Sequence, residues 1–166
     1  SSTPLHEDVS PYMLLNSDDI RCANIDLPMV IQDVMSFPHG PLYDSHVLSL
    51  CLQMITAYDK TQDRTFLDGA EKLLQWIDSQ YVNEDILLIN RLQIIRRKRE
   101  YNAKELDILY KLKGRYADDT RMLCGVSILL GDLALFDRCY QVLSDTDKKD
   151  FRESPIVHLL PQHVAC

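Results

Sequence analysis

The sequence contains few residues that break helices and no long apolar run. Its 166 residues include only five glycines and seven prolines, and the prolines lie outside the longest stretches of periodic apolar residues. No apolar run approaches the roughly 18 residues that a membrane-spanning helix needs. The first residues lack the basic and apolar regions of a signal peptide. We therefore expect a cytoplasmic, mainly helical protein that does not enter a membrane.

Cysteine patterns that would indicate disulfides or a zinc site are also missing. The chain has five cysteines, an odd number, with wide spacings and no C-x-x-C pattern. Cys51, Cys124 and Cys139 lie in apolar helical runs, which predicts free, buried thiols in a reducing compartment. His158, His163 and Cys166 are zinc-ligand residue types, but no fourth ligand accompanies them. We therefore predict no metal site.

The usual sequence patterns of catalytic sites do not occur. The chain has no glycine-rich phosphate loop, no nucleophile elbow and no H-E-x-x-H pair. Paired acids such as Asp18-Asp19 and Asp118-Asp119 stand where helices are expected to begin, so capping explains them better than metal binding. We therefore expect no cofactor and favour a non-enzymatic function.

What the sequence does contain is a regular series of helix signals. Apolar residues recur with three-four spacing, as in Val47, Cys51, Met54 and Ile55. Residues that cap helix starts and glycines that suit helix ends stand between such segments. The predicted N-terminal caps are Asp26, Asn83, Asn102 (with Glu105 in a capping box), Asp132 and Ser144, and the predicted C-terminal glycines are Gly114 and Gly131. This pattern predicts about eight to ten helices and no strand.

The helices are expected in pairs of similar length joined by short links. Pairs that recur about every 30 to 40 residues indicate stacked helical repeats, in which each pair covers the apolar face of its neighbour. The predicted fold class is all-α, with antiparallel helical hairpins stacked as a short α-solenoid. Residues 1–42 would form a segment of short helices that packs on the array, and residues 43–166 the array itself, together one continuous domain.

The segment "ILLGDLALFDRCYQVLS" resembles the middle of a tetratricopeptide repeat (TPR). In that repeat, a glycine at the turn between two helices is followed by small and aromatic residues at fixed steps. Gly131 and Tyr140 match this pattern. Phe136 and Leu143 depart from it, because each stands where a small residue is usual. The resemblance implies helical hairpins of the TPR type.

A second stretch, "RTFLDGAEKLLQWI", is similar to the same repeat, with Gly69 at a small position. The helix pair around "NRLQIIRRKREYNAKELDILYKL" matches in helix length only. The C-terminal half also looks like helical arrays that are attached to effector domains in bacterial proteins. The resemblance implies a scaffold or docking module that binds a protein or peptide, either alone or as a regulatory part of a larger protein. Self-association into a homo-oligomer stays open.

The charge is distributed unevenly along the chain. The net charge is −7, yet residues 91–115 contain nine Lys or Arg and only three Asp or Glu, a local charge of +6 that leaves −13 elsewhere. The global acidic balance argues against a general nucleic-acid binder, because the field of the whole protein repels phosphate.

Four successive cations, "RRKR" at residues 96–99, lie at the end of a predicted helix. This helix would run from Glu84 to about residue 100, with acids first and bases last, as the helix dipole favours. Four successive residues point to four sides of a helix and cannot form one stripe along a phosphate backbone. We therefore predict that the run does not bind nucleic acid and contacts acidic side chains of a neighbouring helix or partner.

A small set of residues are candidates for binding a partner. Lys104 on the next helix would extend the basic run, and Tyr110 could contact a peptide or stack on a base. The single tryptophan, Trp76, could anchor a partner, although packing in the core is the commoner role. The candidates are Arg96, Arg97, Arg99, Lys104, Tyr110 and Trp76. A regulatory domain that binds peptide or RNA through residues 91–115 is one alternative function.

Arg152 and His158 form an R-x5-H pattern that resembles the catalytic motif of HEPN-type helical ribonucleases. In that family the Arg and the His act on an RNA phosphate within an all-α dimer. This chain departs from the pattern, because Pro155 interrupts it and Glu153 follows the arginine. About one such match is expected by chance in a chain of this composition. A small all-α ribonuclease is therefore the alternative enzymatic function.

Overall fold

A computed structural model describes residues 9–22 and 25–161. These residues form nine α-helices and one 3₁₀ helix, η1, and no strand occurs among them, so the all-α prediction is confirmed. The elements are α1 (Ser17–Cys22), α2 (Leu27–Met35), α3 (Pro41–Thr61), α4 (Arg64–Trp76), α5 (Glu84–Lys98), α6 (Ala103–Arg115), α7 (Thr120–Leu130), α8 (Leu133–Gln141), α9 (Asp145–Glu153) and η1 (Pro155–Leu159).

Contacts between residues divide the chain into two compact units. Unit 1 comprises the described residues up to Leu87, and unit 2 comprises those from Leu88 onward. The division falls inside α5. The short helices α1 and α2 belong to the same unit as α3 and α4.

The centre of unit 1 is the hairpin of α3 and α4. The two helices contact each other and are joined by only two residues, Gln62 and Asp63, so they run antiparallel. Gln62 ends α3 in the left-handed conformation, with φ of 61°. Asp63 caps α4 by accepting the Thr65 N–H at 3.0 Å. Helix α1 packs on α3, and α2 packs on α4.

Glycine at position 69 allows α2 and α4 to approach each other closely. A Cβ atom on Gly69 would lie 2.8 Å from Cδ1 of Ile31, and both residues are buried. Substitution would force the Ile31 side chain or the helices to shift, since packed interiors leave little free volume. Close packing against Ile31 therefore explains why position 69 carries a glycine.

Cysteine thiols are buried in the hairpins of both units. The Sγ atom of Cys51 on α3 donates to the carbonyl oxygen of Ala70 on α4 at 3.6 Å. Burial raises the pKa of the Cys51 thiol far above its usual range. Cys124 and Cys139 in unit 2 are also free and buried, so the prediction of free, buried thiols is confirmed for these three.

The centre of unit 2 is the hairpin of α7 and α8. Gly131 ends α7 with φ of 71°, and Asp132 caps α8 by accepting the Leu135 N–H at 3.1 Å. Both positions were predicted from the sequence. Helix α6 and η1 each pack on α7, and η1 also packs on α9. The buried core includes Leu92, Leu109, Leu112, Cys124, Val126, Phe136, Phe151 and Ile156.

Most of the predicted caps are confirmed, and one predicted helix end is wrong. Asp26, Asn83 and Ser144 each accept a backbone N–H from the first turn of their helix, and Asn102 with Glu105 forms the complete capping box. Gly114 does not end α6. The helix continues to Arg115, and Tyr116 follows as its C-terminal cap. A glycine inside a helix costs only about 1 kcal/mol, which the burial of neighbouring α6 leucines outweighs.

Candidate functional site

The turn between α2 and α3 places a histidine beside the start of α3. This turn reads Ser-Phe-Pro-His-Gly, and Pro41 follows at the first position of α3. Gly40 is the N-cap residue and has no side chain with which to cap. Asp44, one turn into the helix, accepts the Gly40 N–H at 3.0 Å instead. The carboxylate therefore lies next to the His39 side chain.

Asp44 is the centre of a buried hydrogen-bond network. Its side chain is 0% exposed. One of its oxygen atoms lies 2.8 Å from Nδ1 of His39 and accepts the N–H of Asp78 at 2.9 Å. A buried carboxylate is costly unless donors surround it, and Asp44 has three. The network fixes the His39 turn and the segment after α4 to the start of α3.

An aromatic cluster lies against one face of the imidazole. The ring of His39 stacks on Trp76, with ring centroids 3.8 Å apart and an interplanar angle of 21°. Tyr43 meets the same indole edge-on, at 5.9 Å and 82°. Its hydroxyl donates to the carbonyl oxygen of Val34 at 2.6 Å. Burial, with smaller effects from nearby carboxylates, raises the pKa of Tyr43 to about 12, so the phenol stays neutral at physiological pH. The hydrogen bond to Asp44 and the stacking on Trp76 together fix the orientation of the His39 ring.

His39 also lines an apolar cavity of about 620 Å³ that is open to solvent. Two chain segments form its walls, one before α1 and one that covers the His39 turn with the start of α3. Two leucines at the cavity are largely exposed, Leu14 at 86% and Leu42 at 66%. The lining residues are Val9, Ser10, Pro11, Met13, Leu14, Pro38, His39, Gly40, Leu42, Tyr43 and His46.

None of the described residues that line the cavity is Asp, Glu, Lys or Arg. Its ionisable imidazoles are His39 and His46. Ser10 is buried, and its hydroxyl donates to Asp33 at 2.6 Å, which ties the first wall to α2. The described lining thus combines apolar surface with two imidazoles, and the carboxylates of Asp33 and Asp44 contact its residues Ser10 and His39. It suits a ligand that is mainly apolar.

Sequence reasoning identified only one part of this site, Trp76, which is half-buried. It missed His39, Asp44 and the cavity. The available signal was the Pro-His-Gly-Pro break followed by an acid in the first helical turn. An acid at that position also suits the helix dipole alone. Moreover, the Asp78 N–H that shares the carboxylate is 34 residues away in the chain.

The basic run is the end of a helix, as predicted, since α5 finishes at Lys98. Arg96 pairs with Glu100 at 3.0 Å. Arg97 donates to the carbonyl oxygens of Gln93 at 3.1 Å and Pro155 at 2.8 Å. The run therefore makes contacts within its own chain.

Arg99 makes a bidentate contact with Glu105 of α6. Two guanidinium nitrogens each donate to one carboxylate oxygen at 2.7 Å. This fork, with the Asn102 N–H as a further donor, lowers the pKa of Glu105 to about 2. This pair meets the prediction that the run contacts acidic side chains of a neighbouring helix. The prediction is wrong for the contacts of Arg97 with the backbone carbonyl oxygens of Gln93 and Pro155.

The other two partner-binding candidates of unit 2 lie on α6. Lys104 is exposed in the first turn of the helix, and Tyr110 is 61% exposed. They are six positions apart in the helix, which places them about 120° apart around its axis, so they lie on different sides of α6. The structure does not bring these two side chains together.

Arg152 and His158 lie on different elements. Arg152 is on α9 and donates to the hydroxyl of Tyr140 on α8 at 3.0 Å. His158 is exposed on η1, beyond the break at Pro155. The ribonuclease alternative stays a prediction that these positions do not decide.

The zinc-type residues His163 and Cys166 lie outside the described residues. Within the described ranges, no group of three or more His, Cys, Asp or Glu side chains is arranged to hold a metal ion. Among these same residues, none of the helices has the length and apolar character required to cross a membrane.

Comparisons with protein-family models, with curated proteins and with solved structures each gave no match to this chain.

Proposed function

We propose that the chain is a non-enzymatic, TPR-like helical module that binds a segment of a partner protein in the cavity beside His39. The observation that carries this proposal is the open apolar cavity of about 620 Å³ with two strongly exposed leucines at its edge. Burying one leucine side chain contributes about 1.5–3 kcal/mol. A partner that covers Leu14 and Leu42 would therefore gain a useful part of its binding free energy there.

The chemistry of the lining defines the partner segment. Apolar and aromatic side chains with a few fixed polar groups are typical of binding sites. The described residues of the lining are mainly apolar, so we propose that an apolar segment of the partner is its anchor. Free, buried thiols at Cys51, Cys124 and Cys139 support the cytoplasm as the compartment.

Selection of short random peptides displayed on phage tests this proposal. Peptides that bind the purified protein should bind about tenfold or more weakly to the variant Leu14→Gln/Leu42→Gln, since the buried leucine surface is lost. Met29→Gln is the matched control, because Met29 is 49% exposed in the same unit but does not line the cavity. The selected peptides should bind Met29→Gln as tightly as they bind the wild-type protein. Peptides that bind both variants equally well would contradict the proposed site.

A further inference from the structure

We infer that the outer face of α6 is a self-association surface, on which two copies of this chain pair with their α6 helices antiparallel. The outer face consists of Ala103, Leu106, Tyr110 and Gly114. It belongs to unit 2 and shares no residue with the described lining of the cavity beside His39, so the inference does not depend on the proposed function.

The outer face carries two large exposed apolar side chains one helical turn apart. Leu106 is 37% exposed and Tyr110 is 61% exposed. Successive helical residues turn by about 100°, so Tyr110 points about 100° away from Leu109 and about 160° away from Leu112. These two leucines are the residues that α6 buries. The core of unit 2 therefore leaves Tyr110 uncovered, and exposed apolar residues that adjoin one another mark interaction sites.

Small residues lie at both ends of this apolar pair. Ala103 precedes Leu106 by one turn, Gly114 follows Tyr110 by one turn, and both small residues are exposed. Among the described residues, a Cβ atom on Gly114 would contact nothing beyond its own stretch of helix within 4 Å. No packing within the described chain therefore requires a glycine there, although a glycine inside a helix is unfavourable. The close approach of a second helix would explain its presence.

The order small, large, large, small reads the same in both directions, which suits a two-fold pairing of identical faces. We place the two-fold axis level with Ile108 and use a rise of about 1.5 Å per residue. Leu106 of each copy then lies level with Tyr110 of the other copy. Gly114 lies within about 1.5 Å of the level of Ala103 of the other copy. The large side chains would fill the centre, and the small residues would let the helices approach at both ends.

The charges beside the outer face are complementary in the same pairing. Asp107 and Lys111 lie on one side of the face and pair with each other at 3.1 Å. A two-fold axis that reverses the helix places this side of one copy beside the same side of the other. Asp107 then lies about 3 Å along the axis from Lys111 of the other copy, against about 6 Å from its own Lys111. Two symmetric ion pairs can therefore form between the copies.

The same geometry predicts that the dimer is weak. Lys104 lies on the charged side of the helix and would oppose Lys111 of the other copy, because both are cations. In addition, a single helix face gives an interface smaller than those of stable dimers. We therefore expect self-association only at concentrations on the order of 100 μM.

Sedimentation equilibrium of the purified chain at these concentrations tests the inference. The wild type should show a monomer–dimer equilibrium. Leu106→Gln/Tyr110→Gln should raise the dissociation constant of the dimer about tenfold or more, because each change acts twice in a symmetric dimer. Val142→Gln is the matched control, because Val142 is 71% exposed in the same unit but lies outside α6. It should leave the dissociation constant unchanged.

Gly114→Gln separates the interface from the folding of the monomer. The new side chain would enter open space in the monomer, and glutamine favours a helix more than glycine does. Circular dichroism should therefore show a folded protein at least as stable as the wild type. The dimer should nevertheless weaken, because the added side chain keeps the two helices apart.

Charge reversal tests the antiparallel pairing. Asp107→Lys and Lys111→Asp should each weaken self-association, because like charges then meet between the copies. A mixture of the two variants should form a mixed dimer at least as stable as the wild-type dimer, because both ion pairs are restored in it. Sedimentation with one variant carrying a fluorescent label measures this mixed dimer.

Three results would overturn the inference. The first is a wild-type chain that stays monomeric at these concentrations. The second is a dimer that neither Leu106→Gln/Tyr110→Gln nor Gly114→Gln weakens. The third is a mixture of the two charge variants that associates no better than either variant alone. None of these results bears on the cavity beside His39, which is tested by peptide binding.

Discussion

The two units end the first helix of their central hairpin in the same backbone conformation but with different residues. Gln62 ends α3 with φ of 61°, and Gly131 ends α7 with φ of 71°. For a residue with a Cβ atom, this left-handed conformation is unfavourable by roughly 1–2 kcal/mol. The side chain of Gln62 offsets part of this conformational cost, because it donates hydrogen bonds to the carbonyl oxygens of Tyr58 and Asp59. Only the turn of unit 2 was therefore readable from the sequence.

The units also differ in where they place their principal carboxylate. In unit 1, Asp44 is fully buried with three donors. In unit 2, Glu105 pairs with Arg99 near the surface, where the Arg99 side chain is 51% exposed. Removing one partner from a buried charged network is costly because the remaining groups lose their partner away from water, whereas exposed pairs contribute little. The difference shows why unit 1 can hold a rigid polar group beside its cavity.

The largest effect is expected from Asp44→Ala. Removing the carboxylate leaves the N–H groups of Gly40 and Asp78 and the His39 imidazole without their acceptor. Each buried N–H that is left without an acceptor costs about 1–3 kcal/mol. Urea unfolding followed by the fluorescence of Trp76, the only tryptophan, should show this loss in unit 1. The control Asp107→Ala removes an exposed pair with Lys111 and should change the stability by no more than about 0.5 kcal/mol. Similar losses in both variants would mean that the buried network around Asp44 stabilises unit 1 no more than an exposed pair does.

An intermediate effect is expected at the two left-handed positions. Gly131→Gln should destabilise unit 2 by about 1–2 kcal/mol, because the new Cβ atom disfavours that conformation. The reverse change, Gln62→Gly, removes strain but also two side-chain hydrogen bonds, so we expect a change between zero and about 1 kcal/mol of stabilisation. Urea unfolding followed by circular dichroism measures both. If Gln62→Gly destabilised more than Gly131→Gln, the comparison of the two turns would be wrong.

The smallest effect is expected from the Arg99–Glu105 pair and depends on pH. The folded-state pKa of Glu105 is lowered to about 2 from its usual 4.5. A lowered pKa means that the pair stabilises the folded state above about pH 4.5, and that this contribution is lost as the pH falls toward 2. Because the Arg99 side chain is 51% exposed, solvent screens the pair and we expect its contribution to be small. The urea concentration at the unfolding midpoint should fall between pH 7 and pH 3 in both proteins. The fall should be smaller in Arg99→Gln than in the wild type. An equal fall in both would show that the pair does not contribute.

Local signals explain what could be predicted from the sequence. A capping residue such as Asn102 acts on an amide three residues away, and Gly131 acts on its own backbone, so a short window contains the whole cause. Gly114 was misassigned because its effect depends on α6 packing on α7, which outweighs a weak local preference. The all-α class followed from many such windows that agreed.

The site could not be predicted, because its parts come from distant windows. His39 and Asp44 are close in sequence, but the role of Asp44 in the hydrogen-bond network depends on the N–H of Asp78 and on the complete burial of its carboxylate. The cavity needs the segment around Leu14 to lie beside the start of α3. Trp76 was noticed as an unusual residue, yet its contact with His39 spans 37 positions. No helical periodicity encodes such a pairing.

The buried thiol of Cys51 gives unit 1 a reporter of its own opening. Its raised pKa and its burial between α3 and α4 mean that a water-soluble alkylating reagent can react only when the hairpin separates. Cys124, also buried, serves unit 2 in the same way. The labelling rates of the two thiols, resolved by mass spectrometry of their peptides, would therefore measure how often each hairpin opens under native conditions. Equal rates would indicate one cooperative opening event, and unequal rates would rank the two hairpins by their local stability.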